Sequence, residues 1–294
     1  MSLRVIVIIL AALIAMAGAI GLVFANAATI LNGLTTRDGY TIDVDRPYGE
    51  LPRQKLDVYT PSDGAEDAAV VVFFYGGGWN KGSKSSYLFV GQSLASAGFI
   101  VVIPDYRLFP DVVFPDFVAD AAKAVAFARE TLRKPDGTPR ALFLAGHSAG
   151  AHIAALLNLD ERYLTAAGVP PKSVAGAVGL SGPYDFLPIK EDIYKATFPE
   201  PVRAESQPIV FVDGAEAPML LINGEADRTV DPGNTTRLAA AITANGGVVI
   251  VKTYPGVGHT GTVGALATVT PWRKPDVRAA MIEFFRGRLA ELDP

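Results

Sequence analysis

Gly146-His147-Ser148-Ala149-Gly150 is a G-x-S-x-G string that follows the apolar run 141–145 and opens an alanine-rich stretch, 149–158. At a strand–turn–helix junction this string has a mechanical meaning: glycines relieve crowding at a sharp turn and the serine is lifted out of it. Outside that setting it is also an ordinary glycine turn ahead of a helix. A helix starting at the serine aims its amide dipoles at negative charge forming beside it. Tyr75-Gly76-Gly77-Gly78-Trp79 directly follows a second apolar run, 69–75. Three consecutive glycines let backbone N–H groups face a cavity, as an oxyanion hole requires. A phosphate cradle is the competing use of such a loop, but Gly82 is followed by Ser83 and no G-x-x-x-x-G-K-[ST] is formed.

Histidine is scarce enough to permit elimination: the chain has 3. His147 lies inside the turn beside the serine and cannot easily swing round to act as its base. His152 falls on the following helix, where a packing or surface role is the expectation. The two are five apart, not the i, i+4 pair of a helical zinc site, and no H-E-x-x-H occurs. His259, just beyond the run 248–254, is left as the base. Asp227, beyond the run 219–222, is the preferred acid, with Glu225 and Asp231 as local rivals and Asp185 as a remote one. Ser148, Asp227, His259 is the Ser…Asp…His chain order of one particular fold.

The elements that must position these residues are legible as alternation. Strand-like runs fall at 39–45, 55–60, 69–75, 99–103, 141–145, 174–180, 219–222 and 248–254. The later ones are near-continuous apolar runs, as strands buried on both faces require. Helical stretches fall between and after them at 85–97, 117–132, 149–158, 233–245 and 274–291. Such alternation predicts a mostly parallel sheet covered on both faces, an α/β domain. No internal repeat or linker interrupts it. The irregular excursion 184–218 is expected to form a small cap, with Tyr184, Phe186 and Phe198, together with Trp79, as apolar walls for a substrate.

Composition narrows the rest. The 294 residues carry 26 basic and 30 acidic side chains, a net charge of −4, and no basic run, which disfavours a nucleic-acid partner. The chain has no cysteine, which excludes disulfides, thiolate nucleophiles, Fe–S clusters and Cys-ligated zinc. Residues 1–36 stand apart from the catalytic region 37–294. Arg4 precedes an uncharged stretch that lasts to Thr36, apolar through Phe24. A positive end before an apolar run is the export signature, and Ala25-Asn26-Ala27 offers an A-x-A-like cleavage site. The run is also long enough to span a bilayer. A cleaved signal peptide and a retained membrane anchor both remain open. Either sends the catalytic region to the periplasm or the outer face of the membrane.

These segments together resemble the α/β-hydrolases of the carboxylesterase/lipase group with a Gly-Gly-Gly oxyanion loop, similar to hormone-sensitive-lipase-type, feruloyl-esterase-like and arylformamidase-like enzymes. The resemblance spans about residues 55–259 and includes Pro104-Asp105-Tyr106-Arg107-Leu108-Phe109-Pro110 and Ser181-Gly182-Pro183-Tyr184-Asp185. It implies an eight-stranded, mostly parallel sheet with helices on both faces. It also implies Ser148 as nucleophile, His259 as base, Asp227 as its orienting acid, and Gly77, Gly78 and Ala149 as oxyanion N–H donors. One departure is Tyr75, where the family usually has a His that braces the glycine loop. The large N-terminal cap of the hormone-sensitive-lipase type is not expected, because little chain separates the apolar segment from the first strands.

The expected function is hydrolysis of small carboxylic esters of short to medium acyl chain through an acyl-enzyme, with no metal or organic cofactor. Amide or formamide hydrolysis, or peptide cleavage, is the alternative within enzymes. A catalytically inactive hydrolase-fold binding protein is the alternative outside them.

Overall fold

The computed structural model describes residues 28–269 and 276–292. Most of the segment expected as a signal or anchor, including Ala25-Asn26-Ala27, lies outside the described residues. No helix among the described residues is long and apolar enough to cross a membrane. Residues 28–34 are helical and dock on the domain. Asn32 Nδ2 donates to the Ser85 carbonyl at 2.9 Å, and its Oδ1 accepts from the Phe89 N–H at 3.1 Å.

Eight strands form one sheet in the order β1-β2-β4-β3-β5-β6-β7-β8. They are β1 (Tyr40–Pro47), β2 (Lys55–Pro61), β3 (Val70–Phe74), β4 (Ile100–Pro104), β5 (Leu142–His147), β6 (Val174–Leu180), β7 (Met219–Gly224) and β8 (Val249–Tyr254). β1 pairs antiparallel with β2, and β2 antiparallel with β4. Every pairing from β4 to β8 is parallel. Each residue of β3 to β7 is buried, so these Val-, Ile-, Leu- and Phe-rich runs have both faces covered. β8 departs from the expectation of a buried strand. Its Ile250 and Val251 are 46% and 43% exposed, because among the described residues it is an edge strand with β7 as its one neighbour.

The helices are α1 (Leu88–Ala95), α2 (Asp116–Thr131), α3 (Ala149–Leu159), α4 (Glu161–Ala166), α5 (Asp192–Thr197), α6 (Gly233–Ala244), α7 (His259–Gly264) and α8 (Val277–Leu292). The stretch expected as one helix at 85–97 is a 3₁₀ turn, Lys84–Tyr87, running into the shorter α1. α8 is tied to α1 by Arg278, which donates to the Ser93 carbonyl at 2.9 Å, and its Phe285 packs on Phe143 at 4.7 Å. Between β6 and β7 the chain makes α5 and three 3₁₀ turns, Glu200–Val202, Ala204–Ser206 and Pro208–Phe211.

Helix α3 approaches the sheet unusually closely. A Cβ on Gly150 would stand 2.0 Å from the Phe74 carbonyl oxygen, and one on Gly146 would stand 2.2 Å from the Gly150 oxygen. Only glycine fits at either position. The close approach brings the start of α3 against the end of β3, so the loops after β3 and β5 share one edge of the sheet. β3 is also where strand order reverses, β4 lying on one side and β5 on the other. Open α/β sheets bind ligands at such a point.

Gly150→Ala is therefore expected to lower unfolding free energy by about 2 kcal/mol in urea denaturation, because the methyl has no space. Gly287→Ala is the control. Its Cβ would meet nothing within 4 Å on the exposed face of α8, and it should be neutral or stabilising by about 0.5–1 kcal/mol. Equal effects at the two positions would contradict this packing.

Candidate active site

Ser148 stands at the β5–α3 turn with φ 54° and ψ −121°, a conformation that residues other than glycine rarely adopt. Its own N–H donates to the Leu180 carbonyl at 2.9 Å, which pins the turn to β6. The residue keeps 9% of its surface exposed, enough to be reached. His259, which opens α7 just beyond β8, places Nε2 2.9 Å from Ser148 Oγ. His259 Nδ1 lies 2.8 Å from Asp227 Oδ2. A carboxylate only accepts, so Nδ1 carries the proton and Nε2 is left to accept from the serine hydroxyl. Asp227 Oδ1 accepts from the Thr229 and Val230 N–H groups at 2.9 and 3.0 Å. Burial pushes its carboxyl up, but the His259 imidazole and these two amides outweigh burial and hold it below the usual carboxylate range.

His147 has a different place. Its Nε2 lies 3.1 Å from the His259 carbonyl oxygen, and its ring centroid is 4.9 Å from that of His259. Burial, reinforced by the charge His259 can carry, lowers its pKa to about 3. It is thus a neutral donor holding the backbone of the histidine loop.

The glycine loop after β3 has a left-handed backbone, with φ 140° at Gly77, 60° at Gly78 and 60° at Trp79. The Gly76 N–H donates to Tyr87 Oη at 3.2 Å. The N–H groups of Gly77, Gly78 and Ala149 have no acceptor among the described residues. Tyr75 takes the position of the usual bracing His. Its hydroxyl accepts from Arg53 Nη2 at 2.8 Å and its ring stacks on Tyr106 at 4.6 Å. The Tyr106 hydroxyl in turn donates to the Tyr75 carbonyl at 2.8 Å. Tyr75 thus roots the loop from below.

The expected apolar walls are distributed differently. Tyr184 and Phe198 are fully buried and Trp79 is nearly so, which places all three rings in the packing between the β6–β7 excursion and the sheet rather than on an open wall. Tyr184 tucks against Gly179 and Gly182, where no side chain opposes it. Phe186 alone of the four is half-buried. His152 is buried. The rival acids are engaged elsewhere or point away: Asp185 and Asp231 both pair with Arg237, and Glu225 is exposed. Tyr194 on α5 was not anticipated. Its hydroxyl lies 3.1 Å from where a Cβ on Gly78 would stand, and it has no hydrogen-bond partner among the described residues.

Among the described residues no group of three or more His, Asp or Glu side chains is arranged to hold a metal. A surface hollow of about 430 Å³ runs along α2, lined by Tyr48, Lys123, Phe127 and Val169 among others. It holds none of the residues above, so chemistry and not volume marks the site.

A mostly parallel sheet whose carboxyl edge carries a strained serine and a carboxylate, each in contact with one imidazole between them, defines an α/β-hydrolase. Residues 56–242 match the model of the BD-FAE family, and the chain belongs to that family. It is 31% identical over 236 residues to a probable isoprenylcysteine alpha-carbonyl methylesterase of Oryza sativa subsp. japonica, covering 72% of this chain and 56% of the relative. It is 36% identical over 146 residues to the kynurenine formamidase of Danio rerio, covering 50% of this chain and 47% of that one. The chain spans about half the length of these curated relatives. Among solved structures, a truncated carbohydrate esterase from gut microbiota superposes with a TM-score of 0.74 at 22% identity, over 86% of this chain and 98% of that one. Esterase B from Lactobacillus Rhamnosis (HN001) gives 0.74 at 20% identity, over 94% and 95%. At these identities the likeness carries the fold alone.

Two buried neutral histidines make stability depend on pH. His147 and His152 have folded pKa values of about 3 and about 4, each lowered chiefly by burial. Unfolded, each titrates near about 6.5, so below that pH the unfolded chain binds protons the folded chain refuses. Their contribution is complete above about pH 6.5 and is lost as pH falls towards the folded values. Urea denaturation from pH 7 to 4.5 should show stability falling by up to about 1.4 kcal/mol per pH unit for each histidine. His147→Gln should flatten that slope; an unchanged slope would contradict a buried neutral His147.

Proposed function

We propose that the protein is a serine hydrolase of small carboxylic esters, working through Ser148, His259 and Asp227. The observation that carries this reading is the unbroken contact from Ser148 Oγ through His259 to Asp227, at 2.9 and 2.8 Å, beside three N–H groups with no acceptor among the described residues. The esterase names of several relatives support it.

In this mechanism Ser148 Oγ attacks the acyl carbon while His259 Nε2 takes its proton. The carbonyl electron pair moves onto oxygen, and the N–H groups of Gly77, Gly78 and Ala149 hold the resulting oxyanion. Each well-placed donor lowers the barrier by about 3 kcal/mol. Asp227 stabilises the imidazolium, which returns its proton to the departing alkoxide as the ester C–O bond breaks. Water, deprotonated by the same imidazole, then releases the acid and restores the serine. No cofactor enters any step.

The packing beneath the cap supports short acyl groups. With Trp79, Tyr184 and Phe198 filling that space, Phe186 and Tyr194 are the half-buried aromatic faces left to meet an acyl chain. A methylene left outside a pocket forgoes about 0.8 kcal/mol of burial. The same restriction suits a formyl group, and formamidase relatives favour formamide hydrolysis as the second reading. The positive end and apolar run of residues 1–24 support a catalytic domain held outside the cytoplasm.

On p-nitrophenyl esters kcat/KM should peak between acetyl and hexanoyl and fall steeply by dodecanoyl, without activation on emulsified triglyceride. A matched N-formyl anilide turned over faster than the formate ester would select the second reading. Asp227→Asn should cost about 10⁴ in kcat by presenting an N–H to His259 Nδ1. Asp231→Asn should cost little. Equal losses would remove Asp227 from the mechanism.

A further inference from the structure

His152 lies one helical turn after Ser148 on α3, fully buried and with no part in the proton path. The Trp79 Nε1–H donates to its Nδ1 at 3.2 Å. Its Nε2 lies 2.7 Å from the Ser206 carbonyl oxygen in the cap. A carbonyl only accepts and an indole N–H only donates, so one tautomer satisfies both contacts: proton on Nε2, lone pair on Nδ1. The rings of Trp79, Phe186 and Phe198 meet the imidazole edge-on, at centroid distances of 5.1, 5.7 and 5.8 Å. Burial lowers its pKa to about 4, so the imidazole is neutral at pH 7 and the accepting lone pair is present there.

Trp79 is the residue so held, and it ends the glycine loop. Its φ of 60° follows directly on the 60° of Gly78. A left-handed backbone at a bulky residue persists only where its surroundings over-determine it. The Phe109 N–H fixes its carbonyl at 2.9 Å, and Phe198 and Tyr194 pack edge-on against the indole at 4.8 and 5.8 Å. The hydrogen bond that Trp79 donates to His152 is the link that refers this loop to the helix carrying Ser148.

We infer that His152 is a positioning residue, which sets the Gly77 and Gly78 N–H groups against Ser148 through Trp79 and ties that setting to the cap at Ser206. The cap is thereby part of the oxyanion geometry and not only a roof. This inference rests on the ester-hydrolase reading of the same site. It implies that loss of the link misplaces the donors in the transition state while leaving ground-state binding nearly intact.

The test uses the full chain with p-nitrophenyl butyrate. His152→Phe keeps an aromatic ring and removes both hydrogen bonds; Trp79→Phe removes the indole donor. Each should lower kcat roughly 10- to 100-fold with KM within about twofold. The double variant should be no slower than the slower single one, since both remove the same bond. A folded His152→Phe with kcat within about twofold of the parent, or single losses that multiply, would overturn the inference. If His152→Phe does not fold, Trp79→Phe decides on the same criterion. If the parent chain itself is inactive, the ester reading fails separately. The clamp is then read from exchange of the Trp79 indole proton by NMR, assigned by Trp79→Phe because the chain has 2 tryptophans. Slow exchange in the parent and fast exchange in His152→Phe supports it; fast exchange in both overturns it.

Discussion

The left-handed turn at Ser148 is the constraint on which the other parts depend. Holding a serine at φ 54° and ψ −121° costs backbone energy that a flexible loop would relax away. Here β5 is locked between β3 and β6, and α3 leaves the turn in direct backbone contact with β3. Gly146 and Gly150 make that contact possible, because a single methyl at either would overlap carbonyl oxygens. Strand, turn and helix therefore form one stiff piece, with the serine hydroxyl at its tip. The parallel sheet then delivers the remaining groups to the same edge: the glycine loop from β3, Asp227 from β7 and His259 from β8.

Electrostatics at this edge follow from burial and from who can donate to whom. Asp227 stays ionised although burial opposes it, because two backbone amides and the His259 N–H favour the charged form. That carboxylate fixes the imidazole tautomer without needing a proton of its own. The other two histidines are kept neutral by burial and serve the backbone, His147 on the His259 carbonyl and His152 on Ser206. Three imidazoles thus sit close to one turn, one in contact with Ser148 and Asp227 and the other two bonded to backbone carbonyls.

Much of this was legible in the sequence, for local reasons. Ser148, Asp227 and His259 each follow an apolar run, and the structure brings all three into contact. The glycines around Ser148 were readable because a sharp turn needs them. What the sequence hid was set by tertiary context. The Val-Ile-Val run of β8 has the composition of an inner strand, yet whether a strand has a second neighbour is decided by the whole sheet. Tyr184 and Phe198 read as pocket walls because cap aromatics are plausible walls; they are buried because Gly179, Gly182 and the underside of the cap leave room for rings. Tyr194 lies on a six-residue helix too short to show periodicity. The spacing of Ser148 and His152 did hold a signal, since residues four apart share a helix face. What it could not show was that Trp79 would meet that face.

The central claim is that Ser148 is a nucleophile made reactive by its turn and by His259. It is tested most directly by labelling the intact protein with a fluorophosphonate and locating the adduct by peptide mass spectrometry. The account predicts one adduct per chain, on Ser148, abolished in Ser148→Ala while thermal unfolding stays near that of the parent. An adduct on another residue, or a folded parent protein that takes no label, would contradict it.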